Sequence, residues 1–225
     1  MTNANPFAQR STLEYELPPF AVIKEEHYLP AFYEGCAEHL VEVQAILDTP
    51  GAATFENTIV ALEKSGQYLG RMMRVFYNKS SSDTNDALDA IEQEIAPKSA
   101  AHQDAISLNP VLFKRIKDLY DARESLGLNS EDAWLLERYF KDLIHKGAHL
   151  TEAQRVRLKE LNEELSSLQT QFSKNVLADT NDLAVLVESV EELDGLSDNE
   201  IAAAAAAAKD RGHDGKWLIG MVNFT

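Results

Sequence analysis

Residues 54–66 read TFENTIVALEKSG. They lie inside a long region, from about Glu25 to about Ala178, in which apolar residues recur at the period of about 3.6 residues that is typical of α-helices. The segment is expected to belong to the second helix of that region. The pattern around it predicts a mainly α protein in which antiparallel helical hairpins pack into a bundle, with a small two-stranded β element near the C-terminus.

Proline, glycine and capping residues divide the helical region. Pro50 and Gly51 are expected to end the first helix, and Asn109 followed by Pro110 is typical of a helix start. Thr151, with Gln154 three residues later, forms a capping-box pattern for the sixth and longest helix. The first predicted helix spans residues 26–48, and the second ends within residues 80–85. The third to sixth predicted helices span residues 84–107, 110–125, 130–147 and 151 onward.

The sixth helix carries a seam of large apolar residues. Leu158, Leu161, Leu165, Leu168 and Phe172 follow alternating spacings of three and four, which places them on one side of a helix. We expect this seam to be buried in an antiparallel hairpin within the domain. A short coiled-coil pairing is the alternative, although the run is shorter than the roughly three heptads that such a pairing needs.

The pattern changes after Asp179. Residues 183–187 and 217–223 are compact apolar runs, which predict two strands. Between them, Ser197 and Glu200 form a capping-box pattern for a helix. The sequence stops at Thr225 directly after an apolar run, so we expect this unit to continue into further chain. The predicted organisation is an extended arm (1–24), a helical domain (25–180) and a strand-helix-strand unit (181–225).

The composition is that of a globular protein with an acidic surface. Hydrophobic residues make up 44% of the chain, and 21 basic against 37 acidic side chains leave a net charge of −16. This charge repels polyanions, so we expect neither nucleic acid nor a membrane surface as a partner. A polar N-terminus, and the lack of an apolar run of about 20 residues, predict a cytoplasmic protein. The single Cys36 excludes an internal disulfide.

One pair of histidines has the spacing of a metal site. His145 and His149 are four residues apart, like the two zinc ligands of a His-Glu-x-x-His helix. Lys146 occupies the position of the glutamate that would act as general base, and Gly147 is expected to end the helix between the two histidines. We therefore interpret both as solvent-facing residues at a helix C-terminus.

The other candidate residues form no recognisable catalytic pattern. His27, His39 and His102 are isolated in the sequence and are expected to serve packing or to lie at the surface. The acidic groups lack the spacing and the glycine of a calcium loop. These groups are Glu25 with Glu26, Glu163 with Glu164, and Glu188, Glu191, Glu192 and Asp194. The sequence therefore predicts no catalytic, cofactor-binding or metal-binding residue in this chain.

Short motifs along the whole chain occur in the order of a known family. They are Asn5-Pro6-Phe7, Ser11-Thr12-Leu13, Pro19-Phe20, His27-Tyr28, Pro30-Ala31-Phe32, residues 55–66, 124–128 and 147–150, the helix of residues 158–172, and residues 193–219. Together they resemble the thimet-oligopeptidase-like zinc metallopeptidases. The opening motifs favour the branch of the peptidyl-dipeptidases, also called dipeptidyl carboxypeptidases.

This resemblance implies a mostly helical enzyme of two halves around a deep channel. It implies that zinc is held in the C-terminal half and that dipeptides are released from the C-termini of oligopeptides. The His-Glu-x-x-His motif of that family is absent from these 225 residues. The resemblance therefore implies that this chain is a non-catalytic N-terminal wall of the channel, which is inactive by itself, binds no zinc and lacks its C-terminal catalytic half.

A second hypothesis is a free-standing helical module whose grooves bind a partner helix or peptide. It explains the long amphipathic helices and the missing catalytic residues without further chain. The coding sequence past codon 225 distinguishes the two, because a His-Glu-x-x-His motif followed by a helix with a glutamate favours the enzyme.

Overall fold

A computed structural model describes residues 5–220. The helices are α1 (Tyr28–Leu47), α2 (Ala61–Lys64), α3 (Gln67–Ser82), α4 (Asp86–Ser107), α5 (Pro110–Asp121), α6 (Ser130–His145), α7 (Glu152–Asp182) and α8 (Asp198–Asp210). The strands are β1 (Val185–Val187) and β2 (Trp217–Ile219). The fold is mainly α with a small sheet near the C-terminus, which confirms the predicted fold class. Within residues 5–220, every helix is too short or too polar to serve as a membrane span.

The chain forms two compact units, with the boundary between residues 168 and 169, inside α7. The predicted division into an arm (1–24), a helical domain (25–180) and a strand-helix-strand unit (181–225) stays a prediction.

The first unit contains two apolar clusters. In the first cluster, α1 packs against α3 and α4. A Cβ on Gly35 of α1 would lie 3.0 Å from the Leu69 Cα of α3, so glycine permits the two helices to approach closely. The ring of Tyr28 meets that of Phe76 edge to face, with centroids 5.2 Å apart. The fully buried members of this cluster include Phe32, Met72, Phe76, Leu88 and Ile95.

The second cluster lies where α5 and α6 pack against a π-helical segment, Phe55–Val60, that leads into α2. Its fully buried members include Ile59, Leu112, Ile116 and Leu136. Deleting a side chain of this kind leaves a cavity and typically costs about 2–5 kcal/mol. These contacts hold the first unit in one arrangement.

Capping side chains are found at the helix starts that the sequence predicted, as α5 and α7 show. Asn109 Oδ1 accepts hydrogen bonds from the backbone N–H groups of Val111 and Leu112, at 2.9 and 3.1 Å. Thr151 Oγ1 accepts one from the Gln154 N–H at 3.4 Å, and Gln154 Oε1 accepts one from the Thr151 N–H at 3.0 Å. The capping side chains of both helices satisfy backbone N–H donors that the first helical turn leaves unpaired.

Two predicted helices differ from the structure. The second is not continuous, because α2 ends at Lys64 and α3 begins at Gln67, with Gly66 between them at a φ of 68°. A left-handed residue cannot continue a right-handed helix. The fourth was expected to reach about Ser125, but α5 ends at Asp121 and a separate 3-10 turn covers Arg123–Ser125.

The burial predicted for the leucine seam is wrong in this chain. Leu161, Leu165, Leu168 and Phe172 are 44%, 53%, 59% and 68% exposed. The spacing correctly places large apolar residues on one side of α7. Spacing identifies residues that share a face, but the presence of a covering element depends on tertiary packing. None of the described side chains of α7 is buried.

The second unit contains the predicted strands and the helix between them. β1 and β2 are antiparallel, with Val185 opposite Ile219 and Val187 opposite Trp217. They are shorter than predicted, and residues 221–223 of the second predicted strand lie outside the described residues. The Ser197–Glu200 capping box is confirmed, since Ser197 Oγ accepts from the Glu200 N–H at 3.4 Å and Glu200 Oε2 accepts from the Ser197 N–H at 2.7 Å.

Candidate functional site

The segment 54–66 begins with a capped turn. Thr54 Oγ1 accepts a hydrogen bond from the Asn57 N–H at 3.0 Å, and Asn57 Oδ1 accepts one from the Thr54 N–H at 2.8 Å. Asn57 Nδ2 also donates to the Ala52 carbonyl at 3.2 Å. This reciprocal pattern satisfies the backbone donors at the helix start. It orients the segment so that Phe55 and Ile59 are buried.

Polar side chains tie the segment to α5 and α6. Arg115 of α5 donates through Nη2 to Asn57 Oδ1 at 3.0 Å and to Thr58 Oγ1 at 3.3 Å. The Tyr139 hydroxyl of α6 donates to Glu63 Oε1 at 2.6 Å. Burial raises the pKa of Tyr139, and the hydrogen bond to Glu63 adds to the rise. Tyr139 therefore stays a neutral donor, and the segment is bound to both helices of the second cluster.

The segment ends in a break that requires glycine. Gly66 has a φ of 68°, in the left-handed region that glycine adopts without a steric penalty. Its N–H donates to Glu42 Oε2 of α1 at 2.6 Å. A Cβ on Gly66 would lie 2.9 Å from the His39 ring. The break thus brings the chain against one face of α1.

His39 of α1 and His102 of α4 form a pair beside this break. His39 Nδ1 lies 3.0 Å from His102 Nε2, and His39 Nε2 lies 3.2 Å from Ser65 Oγ. The Ser65 hydroxyl donates its single proton to the Leu62 carbonyl at 2.7 Å. His39 Nε2 must therefore donate to Ser65, and His39 Nδ1 accepts from the Nε2–H of His102. This network requires that His39 is neutral, because its Nδ1 must be unprotonated in order to accept.

Burial favours the neutral state of both rings. His102 is 6% exposed, and within residues 5–220 its Nδ1 has no hydrogen-bond partner. Burial lowers the pKa of both histidines, because the charged form loses its hydration. The neighbouring His39 lowers the pKa of His102 further, whereas Glu42 partly offsets the effect of burial on the pKa of His39.

The pair does not have the geometry of a hydrolytic site. A serine nucleophile must give its proton to the histidine, but the Ser65 proton is engaged by the Leu62 carbonyl. The base beside Ser65 would be His39, but its Nε2 carries the proton in this network and its Nδ1 faces His102 rather than a carboxylate. The arrangement instead connects α1, the 54–66 segment and α4.

The interpretation of His39 and His102 as isolated was incomplete. They are 63 residues apart in the sequence, and the packing of α1 against α4 brings them into contact. No local pattern could have identified this pair, because the residues around each histidine carry no signal for the other. Cys36, one turn before His39 on α1, has its pKa raised by burial to about 11 and is a packing residue rather than a reactive thiol.

The structure separates the two histidines that have metal-site spacing. His145 is the last residue of α6, Lys146 caps it, and Gly147 has a φ of 92°. His145 and His149 are both exposed, as expected, and they do not share a helix face.

The acidic groups are also dispersed. Glu25 accepts from Asn85 Nδ2 at 3.2 Å, Glu188 pairs with Lys216 at 2.5 Å, and Glu163 and Glu164 lie exposed on α7. Across the described part of the chain, no three His, Cys, Asp or Glu side chains are close enough to hold a metal ion.

Sequence comparison relates the chain to peptidases. It is 40% identical to a dipeptidyl carboxypeptidase of Escherichia coli strain K12 over 225 residues, which is 100% of this chain and 33% of that protein. It is 26% identical to an oligopeptidase A of Salmonella typhimurium over 204 residues, which is 91% of this chain and 30% of that protein. No family model matches.

The chain thus spans about a third of the length of these relatives. By sequence it is a relative of the dipeptidyl carboxypeptidases and oligopeptidases A and matches their N-terminal part, as its resemblance to the thimet-oligopeptidase-like family implies.

Proposed function

We propose that this chain is the non-catalytic N-terminal region of a cytoplasmic peptidase that releases dipeptides from the C-termini of oligopeptides. One observation carries the proposal: the 40% identity to a dipeptidyl carboxypeptidase extends over 100% of the chain. The proposed role is to form one wall of the channel that admits the substrate.

The packing of the first unit is suited to such a wall. Its two apolar clusters, and the polar contacts of residues 54–66, fix α1 and the helices up to α6 against one another. A rigid helical wall can exclude folded proteins and admit flexible peptides without taking part in bond cleavage.

The exposed seam of α7 supports the proposal that more protein packs against this region. Leu161, Leu165 and Leu168 present adjacent apolar side chains to solvent. Apolar surface of this kind commonly marks an interface. We assign it to the part of the enzyme that corresponds to the remaining two thirds of the relatives, which would contain the catalytic half.

Zinc, which the family resemblance implies, does not fit the residues of this chain. The one pair with the required spacing, His145 and His149, is divided by the end of α6. We therefore place the zinc ligands and the general base of the proposed enzyme in its C-terminal half. Nothing in this chain is assigned a catalytic step.

The test compares the complete protein with residues 1–225. The coding sequence past codon 225 should contain His-Glu-x-x-His, and the complete zinc-loaded protein should release dipeptides from the C-terminus of an N-blocked tetrapeptide. Residues 1–225 alone should release none. A coding sequence that ends at codon 225, or dipeptide release by this chain alone, would overturn the proposal.

The second candidate is a free-standing helical interaction module. The exposed seam of α7 also favours it, because an amphipathic partner helix could cover the same residues. A coding sequence that ends at codon 225, together with specific capture of a separate helical peptide by the seam, would support the module.

A further inference from the structure

The first unit contains a cavity of about 460 Å³ between the N-terminal arm and α3. Ligand pockets commonly measure about 300–1,000 Å³, so the cavity can hold a small organic molecule. Most of its wall is apolar, formed by Pro6, Phe7, Pro18, Pro19, Phe20 and Val75. The residues 54–66 and the histidine pair do not line it.

The arm is anchored where it forms this wall. Phe7 is 4% exposed, and its ring lies 5.5 Å from that of Tyr28, centroid to centroid. Asn5 Oδ1 accepts from the Phe7 N–H at 3.1 Å, and Asn5 Nδ2 donates to the His27 carbonyl at 2.8 Å. The part of the wall around Phe7 is therefore held in place before any ligand enters, which lowers the entropic cost of binding.

Two arginines of α3 line the cavity together. Arg71 and Arg74 are three residues apart, so they lie on the same face of the helix. Arg71 Nη2 donates to the Phe7 carbonyl at 3.2 Å, which fixes its guanidinium beside the cavity, and its buried Nε has no hydrogen-bond partner within residues 5–220. Arg74 is exposed, and in the described part of the chain it pairs with no carboxylate.

The cavity is thus locally basic in a chain of net charge −16. Its one acidic lining residue, Glu16, is engaged by Arg10 at 3.5 Å. An arginine presents a planar fork of donors that matches a carboxylate. Apolar walls beside it exclude water and accept a hydrocarbon group.

We propose that this cavity binds an organic carboxylate that carries an apolar group, with Arg74 as its hydrogen-bonding partner and Arg71 as a fixed positive charge. The site lies outside the proposed catalytic half, and the proposal does not depend on peptidase activity. The apolar walls supply contact area, and the guanidinium distinguishes the acid from its neutral amide.

The test is a titration of the 225-residue chain with N-benzoylglycine, in which binding is measured by ¹⁵N-resolved NMR chemical shifts and by calorimetry. Saturable binding of the acid is expected, with chemical-shift changes at Phe7, Val75 and Asn78. The neutral amide, N-benzoylglycinamide, should bind at least about tenfold more weakly, because a charge-assisted hydrogen bond is lost. Inorganic phosphate, which lacks the apolar group, should also bind more weakly.

Two arginine substitutions distinguish binding at the cavity from a general effect of the protein's charge. Arg74→Gln should weaken binding of the acid by about tenfold or more. Arg138→Gln should leave it unchanged, because Arg138 is an exposed arginine of α6 that pairs with Asp142 away from the cavity. Equal binding of acid and amide, unchanged binding by Arg74→Gln, or no saturable binding at millimolar ligand would each overturn the proposal.

Discussion

His39 Nδ1 lies 3.0 Å from His102 Nε2, so one hydrogen bond joins α1 to α4 across 63 residues of sequence. The bond requires that one ring accepts and the other donates. A proton on the accepting nitrogen would make His39 positive and would leave two N–H groups facing each other in this tautomer, so the bond would be lost and a charge would be buried. The packing of these helices is therefore coupled to the charge of the pair.

This coupling predicts acid sensitivity. The folded pKa of each histidine is below its ordinary value of 6.5, so the unfolded chain binds more protons as the pH falls. The free energy of unfolding should be constant above pH 6.5, the ordinary pKa of histidine, and should decrease as the pH drops from 6.5 toward the lower folded pKa. Urea denaturation between about pH 7.5 and pH 5 measures this slope.

Two histidine variants identify which groups cause the pH dependence of the free energy of unfolding. His102→Gln should reduce the slope, because only the partly buried His39 then remains, and His145→Gln should leave it intact, because His145 is exposed at the end of α6. An equal slope in His102→Gln and the parent would show that other groups cause the acid sensitivity.

Gly66→Ala should destabilise the chain more than Gly127→Ala. Both glycines have left-handed φ, 68° and 65°, so the conformational penalty is similar, about 1–2 kcal/mol. A Cβ at Gly66 also meets the His39 ring at 2.9 Å, whereas one at Gly127 meets nothing within 4 Å. We expect an additional loss of about 1–3 kcal/mol at Gly66. Equal denaturation midpoints of the two variants would contradict the close approach of His39.

The variants Leu165→Ala and Leu136→Ala compare an exposed leucine of the α7 seam with a buried leucine of the second cluster. Leu136 is 0% exposed in the second cluster, and its truncation should cost about 2–5 kcal/mol in the free energy of unfolding. Leu165 is 53% exposed, and its truncation should change stability by less than about 1 kcal/mol in this chain. In a complete enzyme of the proposed kind, Leu165→Ala should cost more, because the seam would be covered. A large loss for Leu165→Ala in residues 1–225 would show that the seam is buried in solution.

The chain should retain no stoichiometric zinc after dialysis, as measured by elemental analysis. The physical reason is that tight zinc binding needs about four convergent ligands, whereas α6 ends between His145 and His149. His145→Ala serves as the matched variant. Zinc retained by the parent and lost in this variant would contradict the interpretation.

Local patterns were sufficient for three helix starts and their caps. The starts at Asn109, Thr151 and Ser197 were predicted correctly, because a capping side chain bonds to backbone groups within three residues of itself. The break at Ser65-Gly66 was missed, although the glycine was visible. A glycine stops a helix only when its φ becomes positive, and at Gly66 the contacts with Glu42 and His39 favour that conformation.

The sequence by itself determined the fold class, the helix caps and the family resemblance, because these depend on short-range spacing and on the order of motifs. Only the tertiary structure decided that His39 meets His102, that Arg71 and Arg74 share a cavity with the arm, and that the seam at Leu165 is exposed. Such contacts join residues that are far apart in the chain or depend on which element covers a face. Periodicity determines the face of a helix, whereas the packing of the other helices determines what that face meets.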